Sequence, residues 1–396
     1  MADNNENKVL NVPHLRFPEF TEEWEETTLG KISEITKGSG ISKDQLSEQG
    51  SPCILYGELY TKYKSEIIDE VYSRTELDSS SLVKSKANDV IIPCSGETAI
   101  DISTARCVPF NNILLGGDLN IIRLKHDDGG FFAYQLNGAR KKDIARVAQG
   151  VSVVHLYGEN LKHIRVYHPA IEEQKKITRL LSLIDERIAT QNKIIEDLKK
   201  LKSAIIHRCY SSQTNMIPLS ELLKQCSDRN RSGSDLQVLS VSNKYGFIAQ
   251  SDQFEDREVA SDDTSNYKVV KKGMFAYNPA RINVGSIALY EMDSNGIVSP
   301  MYVCFTTKSE LLPSYLKYYF ASQTFKHEMY KRLEGSVRLC LTFEELCNIE
   351  IHLPSIEQQK NISKYISKIE NNLSLVDSIF SKYQQQRRYL LSQMFI

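Results

Sequence analysis

Two polar segments, at nearly the same place in each half of the chain, carry residue types that pair with base edges. They are Ile92–Ser103 (IPCSGETAIDIS) and Phe275–Ser286 (FAYNPARINVGS). In the major groove arginine favours guanine and asparagine favours adenine, and serine, threonine and glutamate also contact bases. The candidate base contacts are Ser95, Glu97, Thr98, Asn278, Arg281 and Asn283. For any single residue, capping of a backbone turn is an equally good interpretation.

Basic residues recur at matching places in the two halves and are candidate phosphate contacts. Lys141 corresponds to Lys326 and Arg146 to Lys331, at a constant offset of 185 residues. Lysine and arginine on a helical face, followed by a glycine turn, suit contacts that fix register on a duplex. The candidates are Lys43, Arg140, Lys141, Arg146, Lys326, Lys331 and Arg338. A solvated helix face is the alternative interpretation, and the repetition weighs against it.

Catalytic and metal-binding patterns are missing from the sequence. It contains neither Gly-x-Ser-x-Gly nor His-Glu-x-x-His, and its eight cysteines form no Cys-x-x-Cys pair. Asn278–Arg281 superficially resembles the Asn-Pro-Pro-aromatic motif of adenine-N6 methyltransferases, without the second proline, the aromatic residue or a glycine-rich cofactor loop. Residues 37–43 (KGSGISK) could approach a phosphate backbone but lack P-loop spacing. We therefore predict a non-enzyme with neither a metal site nor a cofactor of its own.

Composition narrows the class of protein further. At 396 residues, with 41% hydrophobic and 25% charged residues, the chain has room for two or more globular domains. A net charge of −1 argues against purely electrostatic binding of nucleic acid but allows local basic surfaces. The sequence shows no signal-peptide core and no apolar run of membrane-spanning length. We expect a cytoplasmic protein with reduced cysteines.

A duplicated segment indicates which elements position these residues. Residues 168–177 read HPAIEEQKKI and residues 353–362 read LPSIEQQKNI, with six identities at the offset of 185. Proline suits the first helical turn and glutamate its positive end, so we predict that helices open at Pro169 and Pro354. Two copies of one unit indicate a pseudo-twofold molecule, which suits a two-part or symmetric partner such as duplex DNA.

Both predicted helices carry a heptad seam, in which mostly apolar residues step by four and three. The seam residues are Ile177, Leu181, Ile184, Ile188, Gln191, Ile195, Leu198, Lys202 and Ile205, and then Ile362, Ile366, Ile369, Leu373, Val376, Phe380, Tyr383, Arg387 and Leu390. Heptads sustained over about four repeats predict coiled-coil helices, each roughly 60 Å long. A basic residue, Lys202 or Arg387, occupies the same late seam position in both copies.

The rest of the chain predicts two mixed α/β domains. Short β-rich runs such as Val90–Ile92, Asn120–Leu124 and Ile164–Tyr167 surround a helical stretch at about Phe131–Ala148. The sequences of the two domains match at their starts and ends but do not align in their interiors. We therefore expect the two domains to recognise different targets. The predicted boundaries are a flexible N-terminus at 1–14, a first domain at 15–167, a central spacer helix at 168–211, a second domain at 212–352 and a C-terminal spacer helix at 353–396.

Three patterns resemble the specificity subunit of type I restriction–modification systems, and the resemblance covers essentially the whole chain. They are Arg-Phe-Pro-Glu-Phe-x-x-x-Trp at residues 16–24, the two Pro-x-Ile-x-x-Gln-x-x-Ile helix openings, and Tyr-Asn-Pro-Ala-Arg-Ile-Asn-Val-Gly-Ser at residues 277–286. The resemblance implies two target-recognition domains, Trp24–Tyr167 and Met216–His352, that each read half of a bipartite DNA site. It also implies that the long helices form an antiparallel coiled coil between them.

The same resemblance implies the partners of the chain. Two methyltransferase subunits that carry S-adenosylmethionine would dock on the helices, and two motor–nuclease subunits would cleave DNA with ATP and Mg²⁺. The recognition loops vary within the family, so the bases that are read do not carry over. From the residues alone, two other functions stay open. One is a coiled-coil scaffold that binds proteins without DNA readout, and the other is a self-sufficient methyltransferase, which would need a cofactor pocket that the sequence does not reveal.

Overall fold

The structure is a computed structural model that describes residues 10–212, 214–231, 233–250, 263–335 and 339–396. The chain forms two compact units, the first made of residues 1–192 and 378–396 and the second of residues 193–377. Each unit combines one mixed α/β domain with one half of each of two long helices. Among the described residues, no helix is both long enough and apolar enough to span a membrane.

The first unit is built around a four-stranded antiparallel sheet. Its strand order is Ser33–Lys37, Leu119–Leu124, Asp89–Pro93 and Arg106–Val108. A second sheet has the order Leu46–Ser47, Ser73–Thr75, Ser51–Ile54 and Leu114–Leu115. Two further pairs are Glu25–Thr28 with Arg165–His168 and Ser95–Gly96 with Val154–His155. The short helices are Leu29–Ile32, Glu58–Thr61, Ala99–Ile102, Gly129–Asn137, Lys141–Val147 and Gly158–Lys162, with a 3-10 turn at Lys43–Gln45.

The second unit repeats this plan with different inner elements. Its main sheet has the order Leu223–Cys226, Val303–Thr307, Phe275–Tyr277 and Ile287–Leu289. A second sheet has the order Gly246–Ala249, Val238–Ser242, Gly296–Val298 and Lys268–Val270, and Met216–Pro218 pairs with Glu350–His352. The described short helices are Leu219–Leu222, Pro313–Phe320, Gln323–Lys331 and Phe343–Cys347, with a 3-10 helix at Pro279–Val284. The predicted α/β class is confirmed.

One predicted helix was wrong as a single element. The stretch Phe131–Ala148 is divided between the helices Gly129–Asn137 and Lys141–Val147. Between them the backbone leaves the helical region at Gly138, with φ −95° and ψ −100°, a conformation that glycine adopts at little cost. The first of these helices is buried along its length, whereas the second has an exposed face.

The long helices are Ile171–Tyr210, with 40 residues, and Ile356–Gln393, with 38 residues. They begin two residues after the prolines at which we predicted them to open. Every predicted seam residue is buried or half-buried. In the first unit Asp185 pairs with Arg387 and Arg187 contacts Tyr383, and in the second Lys202 pairs with Glu370. The predicted antiparallel pairing of the helices is therefore confirmed within each unit.

Each long helix ends inside a hydrophobic core. In the first unit Phe395 packs against Trp24 and Phe131, with ring centroids 6.3 and 5.3 Å away. In the second unit Tyr210 lies 4.8 Å from the ring of Tyr315, and its hydroxyl donates a 2.6 Å hydrogen bond to the Tyr315 carbonyl. Because Tyr210 and Phe395 are separated by the repeat offset, the duplication extends to the way in which the helices end.

A buried glutamine attaches each long helix to its domain. The Gln174 amide donates to the Pro169 carbonyl at 2.9 Å, and its oxygen accepts from the Asp128 amide at 2.9 Å. Gln359 repeats this, donating to the Pro354 carbonyl at 2.9 Å and accepting from the Leu312 amide at 2.8 Å. The duplicated Pro-x-Ile-x-x-Gln pattern thus has one structural role in both copies, since buried backbone groups need hydrogen-bond partners.

Candidate nucleic-acid interface

In each unit the polar segment singled out in the sequence joins the third strand of the main sheet to the fourth. In the first unit it connects Asp89–Pro93 to Arg106–Val108, and in the second it connects Phe275–Tyr277 to Ile287–Leu289. The main sheet therefore presents the two segments at topologically equivalent places, although their sequences do not align.

A glycine turn lies beside the polar segment in both units. Ser95 pairs with His155, and residues 149 and 155 exchange backbone hydrogen bonds of 2.8 and 2.7 Å across a turn that contains Gly150 at φ +123°. In the second unit residues 334 and 340 exchange bonds of 3.0 and 2.8 Å around Gly335 at φ +110°, and the Leu341 amide donates to the Pro279 carbonyl. Both glycines have the left-handed backbone that other residues rarely adopt.

The candidate base contacts of the first unit are unequal. Ser95 is half-buried in its short strand, whereas Glu97 is exposed. Thr98 is exposed but caps the helix Ala99–Ile102, because its hydroxyl accepts from the Asp101 amide at 3.1 Å and donates to the Asp101 carboxylate at 2.6 Å. Capping, the alternative interpretation, therefore accounts for Thr98, and Glu97 is the other exposed residue of the three.

The candidate phosphate contacts of the first unit also have partners within the protein. Arg140 donates to the carbonyl of Ile396 and lies over the ring of Tyr167. Lys141 approaches the Thr104 hydroxyl at 3.4 Å, and burial lowers the pKa of its ammonium group. Arg146 is 75% exposed and pairs with Asp143 at 2.9 Å, so it is the member of this set that solvent reaches most easily.

In the second unit the polar segment folds into the 3-10 helix Pro279–Val284. Asn278 caps it by accepting from the Ala280 amide at 3.1 Å, and Gly285 ends it at φ +93°. Arg281 is exposed, and together with Asn278 it borders a cavity of 360 Å³. Other polar and apolar side chains around that cavity are Ser242, Asn243, Ser299 and Met301.

The cavity includes residues that sequence reasoning missed. Asn243 belongs to the turn after Val238–Ser242. It lies so close to Gly285 that a β-carbon added at Gly285 would be 3.3 Å from the Asn243 β-carbon. Met301 is 62% exposed beside the same cavity. No local pattern marks these residues, because they are brought to Arg281 only by the pairing of distant strands.

The remaining described candidates of the second unit lie on the 3-10 helix Pro279–Val284 and on the helix Gln323–Lys331. Asn283 is half-buried and its carbonyl accepts from the Tyr330 hydroxyl at 3.4 Å, which ties the 3-10 helix to the helix Gln323–Lys331. On that helix Lys326 is exposed, and Lys331 is exposed but pairs with Glu328 at 2.8 Å. Arg338 lies outside the described residues.

Lys43 lies at the start of the 3-10 turn Lys43–Gln45. It borders a groove of 840 Å³ together with Tyr56, Tyr60 and Gly117. Among the described residues no group of three or more His, Cys, Asp or Glu side chains is arranged to hold a metal ion. Each unit thus combines a polar segment, a glycine turn and a helix that carries basic residues.

The chain is similar to known proteins over most of its length. Residues 21–200 and 230–379 match the family model of the type I restriction modification DNA specificity domain. The chain is 24% identical over 399 residues to the type I restriction enzyme MjaVIII specificity subunit of Methanocaldococcus jannaschii, a similarity that covers 91% of this chain and 88% of that protein.

Solved structures share the fold. The S subunit of the type I restriction–modification system from M. genitalium superposes with a TM-score of 0.64 at 16% identity, covering 97% of this chain and 99% of that chain. A chain from a structure of type I R-M complex assembly and conformational transition superposes with a TM-score of 0.53 at 14% identity, covering 95% of this chain and 98% of that one. At these identities the likeness concerns the fold.

Proposed function

Because the chain belongs to the type I restriction–modification specificity family, as a specificity subunit and not an enzyme, we propose that it reads a bipartite DNA site and directs partner subunits to it. Each domain reads one half of the site, and the base pairs between the two half-sites are not read. The observation that carries this proposal is the repeated arrangement of polar segment, glycine turn and basic helix in both units.

The divergent polar segments support separate readers. Arg281 beside its cavity offers an exposed guanidinium, which pairs with guanine, whereas the side-chain oxygen of Asn278 caps the 3-10 helix. The first unit offers the carboxylate of Glu97, an acceptor for the cytosine amino group. Different side chains at equivalent places favour different half-site sequences. The proposed phosphate contacts are Arg146 and Lys326, which are exposed on the helices Lys141–Val147 and Gln323–Lys331.

The long helices support the docking of partner subunits. Leu183, Ile194 and Leu201 on the first helix, and Tyr365, Leu375 and Tyr389 on the second, are large hydrophobic side chains that are 37 to 63% exposed. Exposed apolar residues that form a contiguous patch mark a protein contact surface, and we propose these six as part of one. We propose two methyltransferase subunits and two restriction subunits as partners. S-adenosylmethionine, ATP and Mg²⁺ are cofactors of those subunits, and the complex acts in the cytoplasm, where its DNA lies.

Selection from a random duplex pool tests this function. The chain, assembled with its methyltransferase subunits, is expected to enrich sequences with two short fixed blocks and a constant spacer of any sequence. Arg281→Ala should relax only the block that the second domain reads. Enrichment of one continuous block would contradict the proposal of two readers. No enrichment at all would favour the alternative function, a coiled-coil scaffold without DNA readout.

A further inference from the structure

A buried polar triad joins the domain of the first unit to both long helices. The Tyr134 hydroxyl donates to the Asp185 carboxylate at 2.7 Å, and Arg387 donates to the same carboxylate at 2.5 Å. Tyr134 belongs to the domain helix Gly129–Asn137, Asp185 to the first long helix and Arg387 to the second. We refer to these three residues as the first triad.

The second unit contains an equivalent triad. The Tyr318 hydroxyl donates to the Glu370 carboxylate at 2.9 Å, and Lys202 donates to that carboxylate at 2.6 Å. Glu370 and Arg387 follow Asp185 and Lys202 by the repeat offset of 185. The helices have therefore exchanged roles, so that each contributes the carboxylate in one unit and the cation in the other. Tyr318, Glu370 and Lys202 form the second triad.

The position of the cations in the seam gives the triads a specific effect. An apolar heptad seam packs similarly at several registers, and single polar residues within it select one register because any slip leaves them unpaired. Lys202 and Arg387 are the basic residues of the two seams. Each cation meets a carboxylate from the opposite helix, and that carboxylate is bonded to a tyrosine of the domain. A slip of either helix would therefore break two contacts in the same unit.

We propose that the two triads are positioning residues that hold each domain at one place on the helix pair and thereby restrict the chain to one half-site spacing. This inference rests on the proposed reading of a bipartite site. One base pair adds about 3.4 Å to the separation of the half-sites, about the rise of two helical residues. Hydrogen bonds at 2.5 to 2.9 Å do not survive a displacement of this size, so the triads oppose it together with the packing of the seam.

Charge exchange in the second triad tests the inference, because this triad is partly exposed. Lys202→Glu and Glu370→Lys each place like charges together, and the double variant restores an opposite pair. In cells that express the chain with its methyltransferase, we expect each single variant to raise methylation at sites whose spacer differs by one base pair, by about tenfold over wild type. The double variant should return methylation to the wild-type spacing.

The control is Lys272→Glu, which disrupts a pair with Asp293 of the same 2.6 Å length on an exposed surface of the second unit. It should leave the spacing unchanged. If Lys202→Glu does not fold, Tyr318→Phe carries the test, since it removes only one hydroxyl and should shift the spacing in the same direction.

Three results would overturn the inference. Folded single variants that methylate only wild-type spacing would show that the triads do not set it. Altered spacing that the double variant fails to reverse would show that the pairing is not what matters. A wild-type chain that methylates no two-part site would overturn the proposed function, and this inference with it.

Discussion

The two triads occupy equivalent places but differ in burial and in the number of their partners. Arg387 is 22% exposed and donates to both Asp185 and Glu66, whose side chains are 9% and 8% exposed. Lys202 is 28% exposed and pairs, among the described residues, with Glu370 alone, which is 32% exposed. The same positions thus form an ion network in the first unit and a single, more hydrated ion pair in the second.

The guanidinium group of Arg387 keeps its charge although it is partly buried. Burial alone would lower the pKa of Arg387, but Glu66 and Asp185 raise it above its ordinary value, so the guanidinium stays protonated. Arg106 lies 3.9 Å from Glu66 and donates to the Tyr63 carbonyl at 2.9 Å, which adds a second cation to the network. The comparison indicates that substitutions in the first triad cost more unfolding free energy than substitutions in the second triad.

The largest expected effect contrasts Arg387→Leu with Lys202→Leu. Removal of Arg387 leaves two buried carboxylates without their main partner, so the free energy of unfolding of the first unit should fall by about 3–5 kcal/mol. Removal of Lys202 should cost the second unit about 1 kcal/mol, because water screens the more exposed pair. Hydrogen exchange of peptides from each unit measures both values. Equal losses of unfolding free energy in the two units would contradict the distinction between the two triads.

The buried glutamines are expected to behave alike, which tests the shared part of the comparison. Gln174→Ala and Gln359→Ala each remove the partner of a backbone amide and of a proline carbonyl, and each also removes a second hydrogen bond, to Asp127 and to Glu310 respectively. Each variant should therefore cost about 2 kcal/mol of unfolding free energy in its own unit. Hydrogen exchange near residues 128 and 312 is the measurement. A loss in one unit without a comparable loss in the other would mean that the duplicated motif has kept its role only once.

Binding assays of the assembled complex should distinguish residues that contact bases from residues that contact phosphates. Arg281→Ala should relax one half-site at a cost of about 1–3 kcal/mol in discrimination, whereas Lys326→Ala should weaken binding to all duplexes and flatten its salt dependence. Lys272→Ala is the control, because Lys272 is an exposed lysine of the second unit that pairs with Asp293 and is not among the candidate contacts. If Arg281→Ala lost equal binding affinity for cognate and random DNA, Arg281 would be a contact to the DNA backbone instead of to a base.

The smallest expected effect concerns a pair that only the first unit has. His168 lies 3.1 Å from Asp127, and this hydrogen bond raises the pKa of the imidazole. Its position corresponds to Leu353 in the second unit. A raised pKa in the folded state means that the pair stabilises the unit fully below the ordinary pKa of about 6.5, and that this contribution is lost as pH rises through the raised value.

The variant His168→Leu copies the second unit and should abolish this pH dependence. We expect wild type to lose about 1 kcal/mol more unfolding free energy than the variant as pH rises from about 6 to 8. Fluorescence of Trp24 follows the measurement in the first unit alone, since Trp24 is the only tryptophan and is 1% exposed. Identical pH profiles for the two proteins would contradict the assignment.

Periodic and repeated features were predictable from the sequence. The seam residues of both helices are buried or half-buried as their spacing predicted, and the family was recognisable from short motifs. The domain boundaries and the DNA contacts stay predictions. What the sequence lacked was long-range information: Arg140 meets the chain end at Ile396, and Glu66 meets Arg387, across separations of 256 and 321 residues. No local pattern encodes such contacts.

Helix continuity was also beyond the sequence pattern in one place. The apolar run from Phe131 continues in a helical manner up to Gly138, where one backbone turn divides the helix and directs the basic segment towards the polar one. Glycine is tolerated within helices as well as at their ends, so its presence did not decide between one helix and two. Tertiary packing against the sheet decides it.

Sequencing of DNA methylation in cells that express this chain with its methyltransferase subunits tests two-domain reading most directly. We predict one modified motif with two short specified parts and a spacer of constant length, and Arg281→Ala should degrade only one of those parts. A continuous motif without a spacer, or a variant in which both parts relax together, would contradict the account.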